Sequence, residues 1–261
     1  MAPDIDNLRP VLSEASEPET LAAASKSFET WFSPPTSNGV AANNLLVLDY
    51  DGTLTPIVQD PSTALLTANQ HETLRSLASK LRTRVWIVSG RDRDFLSEQF
   101  SHPEVGLVAE HGAFMRQPYT NQWTDLMVNV DLSWMPDVQA MISNMCRMIP
   151  RTRLEMKTAA VVWHWRDNKE EGALMAPALK SLIDSRAQHL GWSVKVSFGK
   201  CVVEVRPESI TKAGAVRKLL GLEIELSKTL PRRVFCAGDD VTDEGKWLTF
   251  HLVTNLQLNV L

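Results

Sequence analysis

Two aspartates, Asp49 and Asp51, are the residues of this chain whose type and spacing most clearly suggest chemistry. They follow the apolar run 45–48, which predicts a short buried strand because it is continuous and ends at a glycine turn. Residues i and i+2 of a strand point to the same side, so both carboxylates can face one pocket. Two facing carboxylates repel each other, and the pair therefore predicts a nucleophile or acid–base pair arranged around a cation. An Asp-Gly turn that begins a helix is the alternative, but it accounts for Asp51 alone.

Other polar groups are predicted at neighbouring strand ends. Ser89 and Arg91 follow the second predicted strand, where they offer a hydroxyl group and a positive charge. Lys212 lies near the start of a predicted helix, so its ammonium and the helix N-terminus can both face an anion. A further strand is followed by a group of carboxylates, those of Asp239, Asp240 and Asp243. Because Mg²⁺ binds a few carboxylates together with phosphate oxygens and water, this set predicts a magnesium–phosphate site.

The elements that must position these residues alternate between strands and helices. The predicted strands are Leu45–Leu48, Val85–Val88, Gly106–Ala109 and Arg233–Ala237. The predicted helices are Ala68–Lys80, Asp92–Gln99 and Thr211–Leu220. Strands that alternate with helices pair in parallel, and binding sites form at the carboxyl ends of such strands. The sequence therefore predicts an α/β protein with a Rossmann-like parallel sheet, whose polar strand ends converge on one edge.

The stretch 113–207 differs from this pattern. It is rich in tryptophan and contains two predicted helices, Trp134–Met148 and Gly172–Leu190, with strand-like segments at 159–166 and 200–206. This order of elements predicts an inserted α+β cap domain. We therefore expect a leader or linker (1–43), a discontinuous core (44–112 and 208–244), the cap (113–207) and an atypical tail (245–261).

The composition restricts the class of partner. The 261 residues are 44% apolar and carry a formal net charge of −4, which argues against nucleic acid or a membrane as partner. No apolar run has the length of a transmembrane helix, and residues 1–7 do not resemble a signal peptide. The cysteines Cys146, Cys201 and Cys236 lack CxxC spacing. We therefore expect neither a zinc site nor a disulfide framework, and a cytoplasmic location.

Several longer motifs can be compared with known families. Two are Leu48-Asp-Tyr-Asp-Gly-Thr-Leu-Thr-Pro-Ile57 and Ser89-Gly-Arg-Asp92, and a third is Gly238-Asp-Asp-Val-Thr-Asp-Glu244. The more specific ones are Ala109-Glu-His-Gly112, Trp163-His-Trp-Arg166, and Gly199-Lys200 with Glu204-Val-Arg-Pro207. Taken together in chain order, these motifs resemble the haloacid dehalogenase-like phosphatases and, within that superfamily, the fungal type of the trehalose-6-phosphate phosphatase family. The likeness covers roughly residues 45–244. One departure is Ala213, where the family usually has glycine.

This resemblance implies a reaction and a role for each motif. Asp49 would attack the phosphorus and form an aspartyl-phosphate, and Asp51 would act first as acid and then as base. The resemblance assigns phosphate binding to Thr53, Ser89, Arg91 and Lys212. It assigns the cofactor Mg²⁺ to Asp49, Asp239 and the backbone carbonyl of Asp51, with support from Asp240 and Asp243.

The resemblance also places substrate specificity around the cap. It implies trehalose 6-phosphate as the substrate and nominates as sugar-binding residues Glu110, His111, Gly112, Trp123, Glu155, Lys157, His164, Arg166, Lys200, Glu204 and Arg206. Lys200, Glu204 and Arg206 are predicted on one strand face because their spacing is even. The alternatives are that the tryptophans form the cap core, that His164 and Arg166 lie on an ordinary exposed face, and that Lys200 pairs with Glu204.

The tail departs from the family pattern after Glu244. The family continues with Asp-Met-Phe in a helix, whereas residues 245–261 carry no charge after Lys246 and lack the pattern of an amphipathic helix. Gly245-Lys-Trp can be encoded by a sequence that contains GTAAGT, the consensus of a eukaryotic splice donor. We therefore hypothesise a retained intron or a gene-model error, so that the tail is translated non-coding sequence. The tail would then replace the core strand and helix of the family, and we expect reduced activity and solubility.

The sequence is compatible with three functions. The first is hydrolysis of trehalose 6-phosphate in trehalose biosynthesis, together with association with trehalose-6-phosphate synthase subunits. The second is the same chemistry on another substrate, such as sucrose phosphate or a phosphoglycerate glycoside. The third is an inactive regulatory subunit of a trehalose-synthesising complex.

Overall fold

The computed structural model describes residues 44–58, 60–80, 83–227, 231 and 233–239. The predicted leader, the predicted tail, and the side chains of Asp240 and Asp243 lie outside these described residues. None of the described helices is long and apolar enough to cross a membrane.

The described elements alternate as the sequence predicts. The strands are β1 (Asn44–Leu48), β2 (Thr83–Val88), β3 (Gly106–Ala109), β4 (Phe114–Arg116), β5 (Trp123–Asp125), β6 (Arg153–Met156), β7 (Val161–His164), β8 (Val194–Gly199), β9 (Val202–Pro207) and β10 (Arg233–Ala237). The helices are α1 (Ala68–Lys80), α2 (Arg93–Gln99), α3 (Met135–Met148), α4 (Lys169–Leu190) and α5 (Lys212–Ser227). There are two short 3₁₀ turns: Glu110–Gly112 directly follows β3, and Pro61–Thr63 lies in the loop between β1 and α1.

The larger sheet forms the core domain, and its central strands are covered on both faces. Its described strands run in the order β10-β1-β2-β3-β4-β5, with β10 to β3 parallel and β4 and β5 antiparallel. Every residue of β1 is buried, as a parallel strand between two helical layers requires. Leu74 of α1 and Leu96 of α2 pack on one face, and Leu219 of α5 packs on the other. The predicted α/β fold is confirmed.

The core sheet extends past the boundary that the sequence predicts after residue 112. The hairpin of β4 and β5 continues it, because Leu107 of β3 pairs with Arg116, which in turn pairs with Trp123. The Nη2 atom of Arg116 also donates to the carbonyl oxygen of Phe100, which ties the hairpin to the core. Each of these strands has three residues, too few to give a periodic signal. The segment 113–125 therefore belongs to the core sheet rather than to the cap.

The smaller sheet and two helices form the cap domain. Its strands follow the order β6-β7-β9-β8 and are antiparallel throughout. Helices α3 and α4 pack their apolar sides against it, with Ile142 and Ile183 fully buried. Trp134 and Trp163 lie in the same cluster, which confirms the interpretation that these tryptophans form the cap core. The strands β6 and β8 were not individually predicted.

The helix ends follow from local hydrogen bonding. The side chain of Asp92 accepts a hydrogen bond from the backbone N–H of Phe95, so that α2 begins at Arg93. Helix α4 ends at Gly191, whose φ of 71° is the left-handed conformation that glycine adopts most readily. Helix α5 continues to Ser227, beyond the predicted end at Leu220, because its apolar face still covers the sheet there.

Two neighbouring residues of α4 test the packing of the cap. Ile183 is fully buried and Leu182 is 53% exposed, although both are aliphatic and share one helix. We expect Ile183→Ala to lower the free energy of unfolding by about 2–5 kcal/mol, because it leaves a cavity in the cap core. We expect Leu182→Ala to change it by less than about 0.5 kcal/mol. Urea denaturation of both variants measures the difference, and equal losses would contradict this packing.

Candidate active site

The predicted site residues meet where the parallel strands end. Strand β1 lies between β10 and β2, so Asp49 and Ser89 stand on adjacent strand ends. The backbone N–H of Asp49 donates to the carbonyl oxygen of Ala237, which holds the first aspartate beside the loop that carries Asp239. The convergence that the sequence predicts therefore follows directly from the strand order.

Asp49 and Lys212 form a buried ion pair at the centre of this edge. Their side chains are 5% and 4% exposed, and the Nζ atom of Lys212 lies 2.7 Å from Oδ1 of Asp49. Lys212 is the first residue of α5, as its predicted place near a helix start requires. Gly112 packs against the residue before Lys212: it has a φ of 118°, and a Cβ at Gly112 would lie 2.9 Å from the carbonyl oxygen of Thr211. Gly112 thus lets α5 approach closely enough for Lys212 to reach Asp49.

Asp51 is held by both arms of one guanidinium group. The Nε and Nη2 atoms of Arg91 donate to its two carboxylate oxygens at 2.7 and 2.6 Å. Nη2 also donates to the carbonyl oxygen of Pro61 at 2.8 Å, so the arginine connects Asp51 to the following loop. A bidentate contact fixes the orientation of a carboxylate as well as its position. The structure thus places Arg91 as a clamp on Asp51, and its predicted contact with phosphate stays a prediction.

Asp239 approaches the turn after Asp51. A Cβ at Gly52 would lie 1.9 Å from Oδ2 of Asp239, and Gly52 has a φ of 83°. Glycine is therefore required at this position for two reasons: the backbone conformation is left-handed, and the carboxylate of Asp239 occupies the space that a Cβ would need. Thr53 lies in the same turn and is partly exposed. The turn brings Asp239 to the aspartate pair, as the sequence predicts.

The donor chemistry of this edge suits Mg²⁺. Among the described residues, no three Asp, Glu, His or Cys side chains form a group that could hold a metal ion. Mg²⁺ is commonly bound through one or two carboxylates, with phosphate oxygens and water completing its shell. Two carboxylates, those of Asp49 and Asp239, together with the carbonyl of Asp51, agree with that requirement. The predicted metal set fits the residues present and stays a prediction.

The loop that carries Ser89 is joined to the turn after β3. The Oγ atom of Ser89 accepts a hydrogen bond from the backbone N–H of Arg91, which leaves its own hydroxyl proton to donate elsewhere. The backbone N–H of Glu110 donates to the carbonyl oxygen of Arg91, and that of His111 donates to the carbonyl oxygen of Ser89. Glu110 and His111 have φ values of 47° and 57°, an uncommon conformation that their tertiary contacts must sustain.

Several predicted sugar-binding residues contact one another across the boundary between core and cap. Glu204 of β9 lies 3.2 Å from Nε2 of His111 and 3.3 Å from Nζ of Lys157. Arg206 is 3.9 Å from the same carboxylate. Burial would raise the pKa of Glu204, but His111, Lys157 and Arg206 hold it well below its usual range. Burial likewise opposes the charge of Lys157, but the surrounding carboxylates, Glu204 first, raise its pKa.

Two of the predicted sugar-binding residues, His164 and Arg166, line an open cleft. His164 lies 2.5 Å from Glu155, and this hydrogen bond lowers the pKa of Glu155 despite its burial. The cleft has a volume of about 770 Å³ and lies between the cap and the loop after Asp51. It is lined by Asp60, Pro61, Arg151, Thr152, Arg153, His164, Arg166 and Asp167. Sequence reasoning missed Arg151 and Arg153; the even spacing of Arg153 and Glu155 on β6 was the signal available.

Two predicted sugar-binding residues lie elsewhere. Trp123 is on β5 of the core sheet, level with the middle of β3, and its indole N–H donates to Oγ of Ser97. The prediction that it belongs to the cap is therefore wrong. Lys200 lies in the exposed turn between β8 and β9. The prediction that it shares a strand face with Glu204 and Arg206 is therefore wrong. Its carbonyl oxygen instead accepts a hydrogen bond from Nε of Arg166.

The family model for trehalose-phosphatase matches residues 47–259. The chain belongs to the trehalose-phosphatase family. The match continues past Glu244, where we expected the likeness to end. The hypothesis of a retained intron stays a prediction, because residues 245–261 lie outside those the structure describes.

Relatives and solved structures support the same family. The chain is 37% identical over 218 residues to a trehalose-phosphatase of Schizosaccharomyces pombe, which covers 83% of this chain and 26% of that protein. It is 41% identical over 206 residues to the bifunctional trehalose-6-phosphate synthase/phosphatase of Thermoproteus tenax, covering 78% and 27%. The C-terminal domain of C. albicans trehalose-6-phosphate phosphatase superposes with a TM-score of 0.76 at 32% identity, covering 82% and 76%. The chain thus spans about a quarter of the length of the curated relatives it matches.

The required glycine at position 52 gives a test of the trehalose-phosphatase site. We expect Gly52→Ala to lower phosphate release by at least about 100-fold, because the new methyl group displaces the carboxylate of Asp239. Gly191→Ala is the matched control: Gly191 also has a positive φ, of 71°, but among the described residues nothing beyond its own chain neighbours lies within 4 Å of an added Cβ. The control should lose about 1 kcal/mol of stability and retain activity. Full activity of Gly52→Ala would exclude the close approach of Asp239.

The lowered pKa of Glu204 predicts a dependence of stability on pH. The ordinary pKa of a glutamate is 4.5. Below that pH, Glu204 takes up a proton in the unfolded chain but stays charged in the folded protein. The stabilisation from the charged form of Glu204 is therefore complete above pH 4.5 and is lost as the pH falls. We expect the difference in unfolding free energy between wild type and Glu204→Gln to narrow below that pH. Urea denaturation at a series of acidic pH values measures it, and a constant difference would contradict the assignment.

Proposed function

We propose that this chain hydrolyses trehalose 6-phosphate to trehalose and inorganic phosphate through an aspartyl-phosphate intermediate. The buried contact of Asp49 with Lys212 supports this proposal most directly, because it sets a carboxylate beside a fixed cation at the strand ends. The names of the related proteins supply the substrate. Since the chain spans about a quarter of those relatives, the activity is proposed for the site described above.

Each step uses a residue that the structure brings to this edge. An oxygen of Asp49 attacks the phosphorus, and the bond between phosphorus and the sugar oxygen breaks. Asp51 gives its proton to the departing sugar oxygen, which leaves as a hydroxyl group. Asp51 then takes a proton from the water that attacks the aspartyl-phosphate, which releases phosphate and restores Asp49. Arg91 contacts both oxygens of Asp51, and a protonated Asp51 keeps acceptor capacity beside its O–H group, so it can still contact the guanidinium while it donates its proton.

The remaining groups stabilise charge on the phosphoryl oxygens. Lys212 and the hydroxyl of Ser89 donate to these oxygens, and Thr53 offers a further hydroxyl at the turn. Mg²⁺, when bound by Asp49, Asp239 and the carbonyl of Asp51, supplies positive charge to the transferring group. Positioning and charge must supply nearly all of the rate increase in phosphoryl transfer.

The open cleft between the domains is the proposed site of the sugar. Its volume of about 770 Å³ suits a disaccharide, and its lining of arginine, histidine and aspartate can pair with hydroxyl groups. Asp60 faces it from the core, and Ser62 holds this carboxylate through hydrogen bonds from both its backbone N–H and its hydroxyl group. These bonds lower the pKa of Asp60, and Arg153 and Arg166 of the cap add to the effect.

Association with trehalose-6-phosphate synthase and a cytoplasmic location complete the proposal. The name of the relative from Thermoproteus tenax joins synthase and phosphatase in one protein, which supports a synthase as partner. Cys146, Cys201 and Cys236 form no disulfide among the described residues, which agrees with a reducing compartment.

The nucleophile gives the decisive experiment. We expect Asp49→Asn to abolish phosphate release from trehalose 6-phosphate, because an amide is a far weaker nucleophile than a carboxylate. Asp184→Asn is the control, since Asp184 lies on the exposed side of α4 and pairs with Lys180. Release is measured with and without Mg²⁺, and the aspartyl-phosphate is sought by mass spectrometry after acid quenching. Full turnover by Asp49→Asn would disprove the nucleophile; hydrolysis of other sugar phosphates alone would disprove the substrate.

A further inference from the structure

The orientation of Asp51 depends on how firmly Arg91 is itself held. The side chain of Asp51 is 38% exposed, so burial alone does not fix it, whereas that of Arg91 is 14% exposed. The bidentate contact joins the two groups to each other, but a joined pair can still move relative to the fold. The contacts that Arg91 makes with the rest of the core therefore decide where the carboxylate lies.

Two such contacts surround the guanidinium group. Its Nη2 atom donates to the carbonyl oxygen of Pro61 at 2.8 Å. Its Cζ atom lies over the ring of Phe95, 4.3 Å from the ring centroid. The face of an aromatic ring attracts a cation at this distance, and the attraction is stronger where water is largely excluded. Phe95 thus supports a long side chain that would otherwise have many rotamers.

Phe95 is itself held in place from two sides. Its backbone N–H donates to the side chain of Asp92 at 2.8 Å, at the start of α2. Its ring meets that of Tyr50 at 5.4 Å and 90°, an edge-to-face arrangement that aromatic pairs favour. Tyr50 is fully buried, and its hydroxyl group donates to the carbonyl oxygen of Ala64. The residue between the two aspartates therefore stabilises the ring that supports Arg91.

We propose that Phe95 is a positioning residue for the acid–base step. Its ring holds Arg91, and Arg91 holds both oxygens of Asp51 in the orientation that proton transfer needs. The inference rests on the proposed phosphatase function, and it adds a residue outside the predicted phosphate, metal and sugar sets. The alternative is that Phe95 only covers the core, because it also packs against the apolar cluster there. Loss of its ring would then affect stability without a specific effect on turnover.

Removal and retention of the ring separate these two roles. We expect Phe95→Leu to lower kcat on trehalose 6-phosphate by about 10-fold and to change KM by less than about 2-fold, because Asp51 acts in the transition states. Phe95→Tyr keeps the ring and should retain at least about half of the wild-type kcat. Phe95→Met serves in place of Phe95→Leu if that variant does not fold. A Phe95→Tyr variant as slow as Phe95→Leu would overturn the inference.

A second arginine–phenylalanine contact provides the matched control. The Cζ atom of Arg93 lies 4.0 Å from the centroid of the Phe114 ring, and Arg93 is not among the predicted site residues. Phe114→Leu removes this contact and should keep the wild-type kcat, measured per folded enzyme. Equal losses of kcat in Phe95→Leu and Phe114→Leu would contradict the proposal.

The background of Arg91→Ala tests whether Phe95 acts through the arginine. Without the guanidinium group the ring has nothing to position, so Phe95→Leu should cause no further loss of kcat there. A residue that only stabilises the core would lower activity by the same factor in both backgrounds. That result would overturn the inference.

A measurement without turnover completes the test. With ¹⁵N-arginine labelling, exchange of the Nε proton of Arg91 with water reports how often its bond to Asp51 opens. We expect exchange to be severalfold faster in Phe95→Leu and unchanged in Phe114→Leu; Arg91→Lys identifies the signal by its loss. A wild-type exchange rate in folded Phe95→Leu would overturn the inference. Wild type without phosphatase activity would disprove the proposed function, and the exchange rate would still test the role of Phe95.

Discussion

The pairing of Asp49 with Lys212 is the constraint on which the rest of the site depends. Each side chain is about 95% buried, where an isolated charge would carry a large desolvation cost. The two residues lie 163 positions apart in the chain, so the pair forms only when α5 begins at one particular place against the sheet. The conformation of Gly112 and the apolar face of α5 meet that requirement together. The fold of the core is therefore inseparable from the position of the proposed nucleophile.

A second constraint connects this edge to the cap. Glu110 and His111 adopt left-handed conformations, which non-glycine residues occupy only when their surroundings compensate. The compensation comes from both domains. In the core, the carbonyl oxygens of Arg91 and Ser89 accept hydrogen bonds from the backbone N–H groups of Glu110 and His111. From the cap, the backbone N–H of Ala159 donates a hydrogen bond to the carboxylate of Glu110. The turn after β3 is therefore stabilised by the loop it supports and by the entry to the cap. Loss of the cap contacts would release the turn as well as the cleft between the core and the cap.

The sequence was sufficient for features that depend on chain direction and periodicity. Asp49, Ser89 and Lys212 were predicted at one edge because parallel strands present their carboxyl ends together. The clamp of Arg91 on Asp51 was not predicted, because it depends on the path of a loop rather than on a spacing. The hairpin of β4 and β5 was missed because strands of three residues carry no period.

The cap shows the same distinction at the level of side chains. Even spacing correctly put Glu204 and Arg206 on one strand, but it could not show that His111 and Lys157 already occupy the carboxylate of Glu204. Lys200 was placed on that strand because its spacing to Glu204 and Arg206 is even, but the backbone reverses at residues 200 and 201 before the strand begins. Trp123 was assigned by resemblance, and the antiparallel register of β5 fixes it in the core sheet. Residue type and spacing identify what can bind, whereas tertiary partners decide which groups remain accessible.

The charges of the site explain why a divalent cation suits it. Asp49, Asp51 and Asp239 bring three carboxylates to the strand ends, and Lys212 and Arg91 are each already bound to one of them. A phosphate dianion would thus enter a site whose positive charges are balanced before it arrives. The protein, with a formal net charge of −4, offers no general attraction either. Additional positive charge at the carboxylates would favour binding of a phosphoryl group, which is the electrostatic argument for the predicted Mg²⁺.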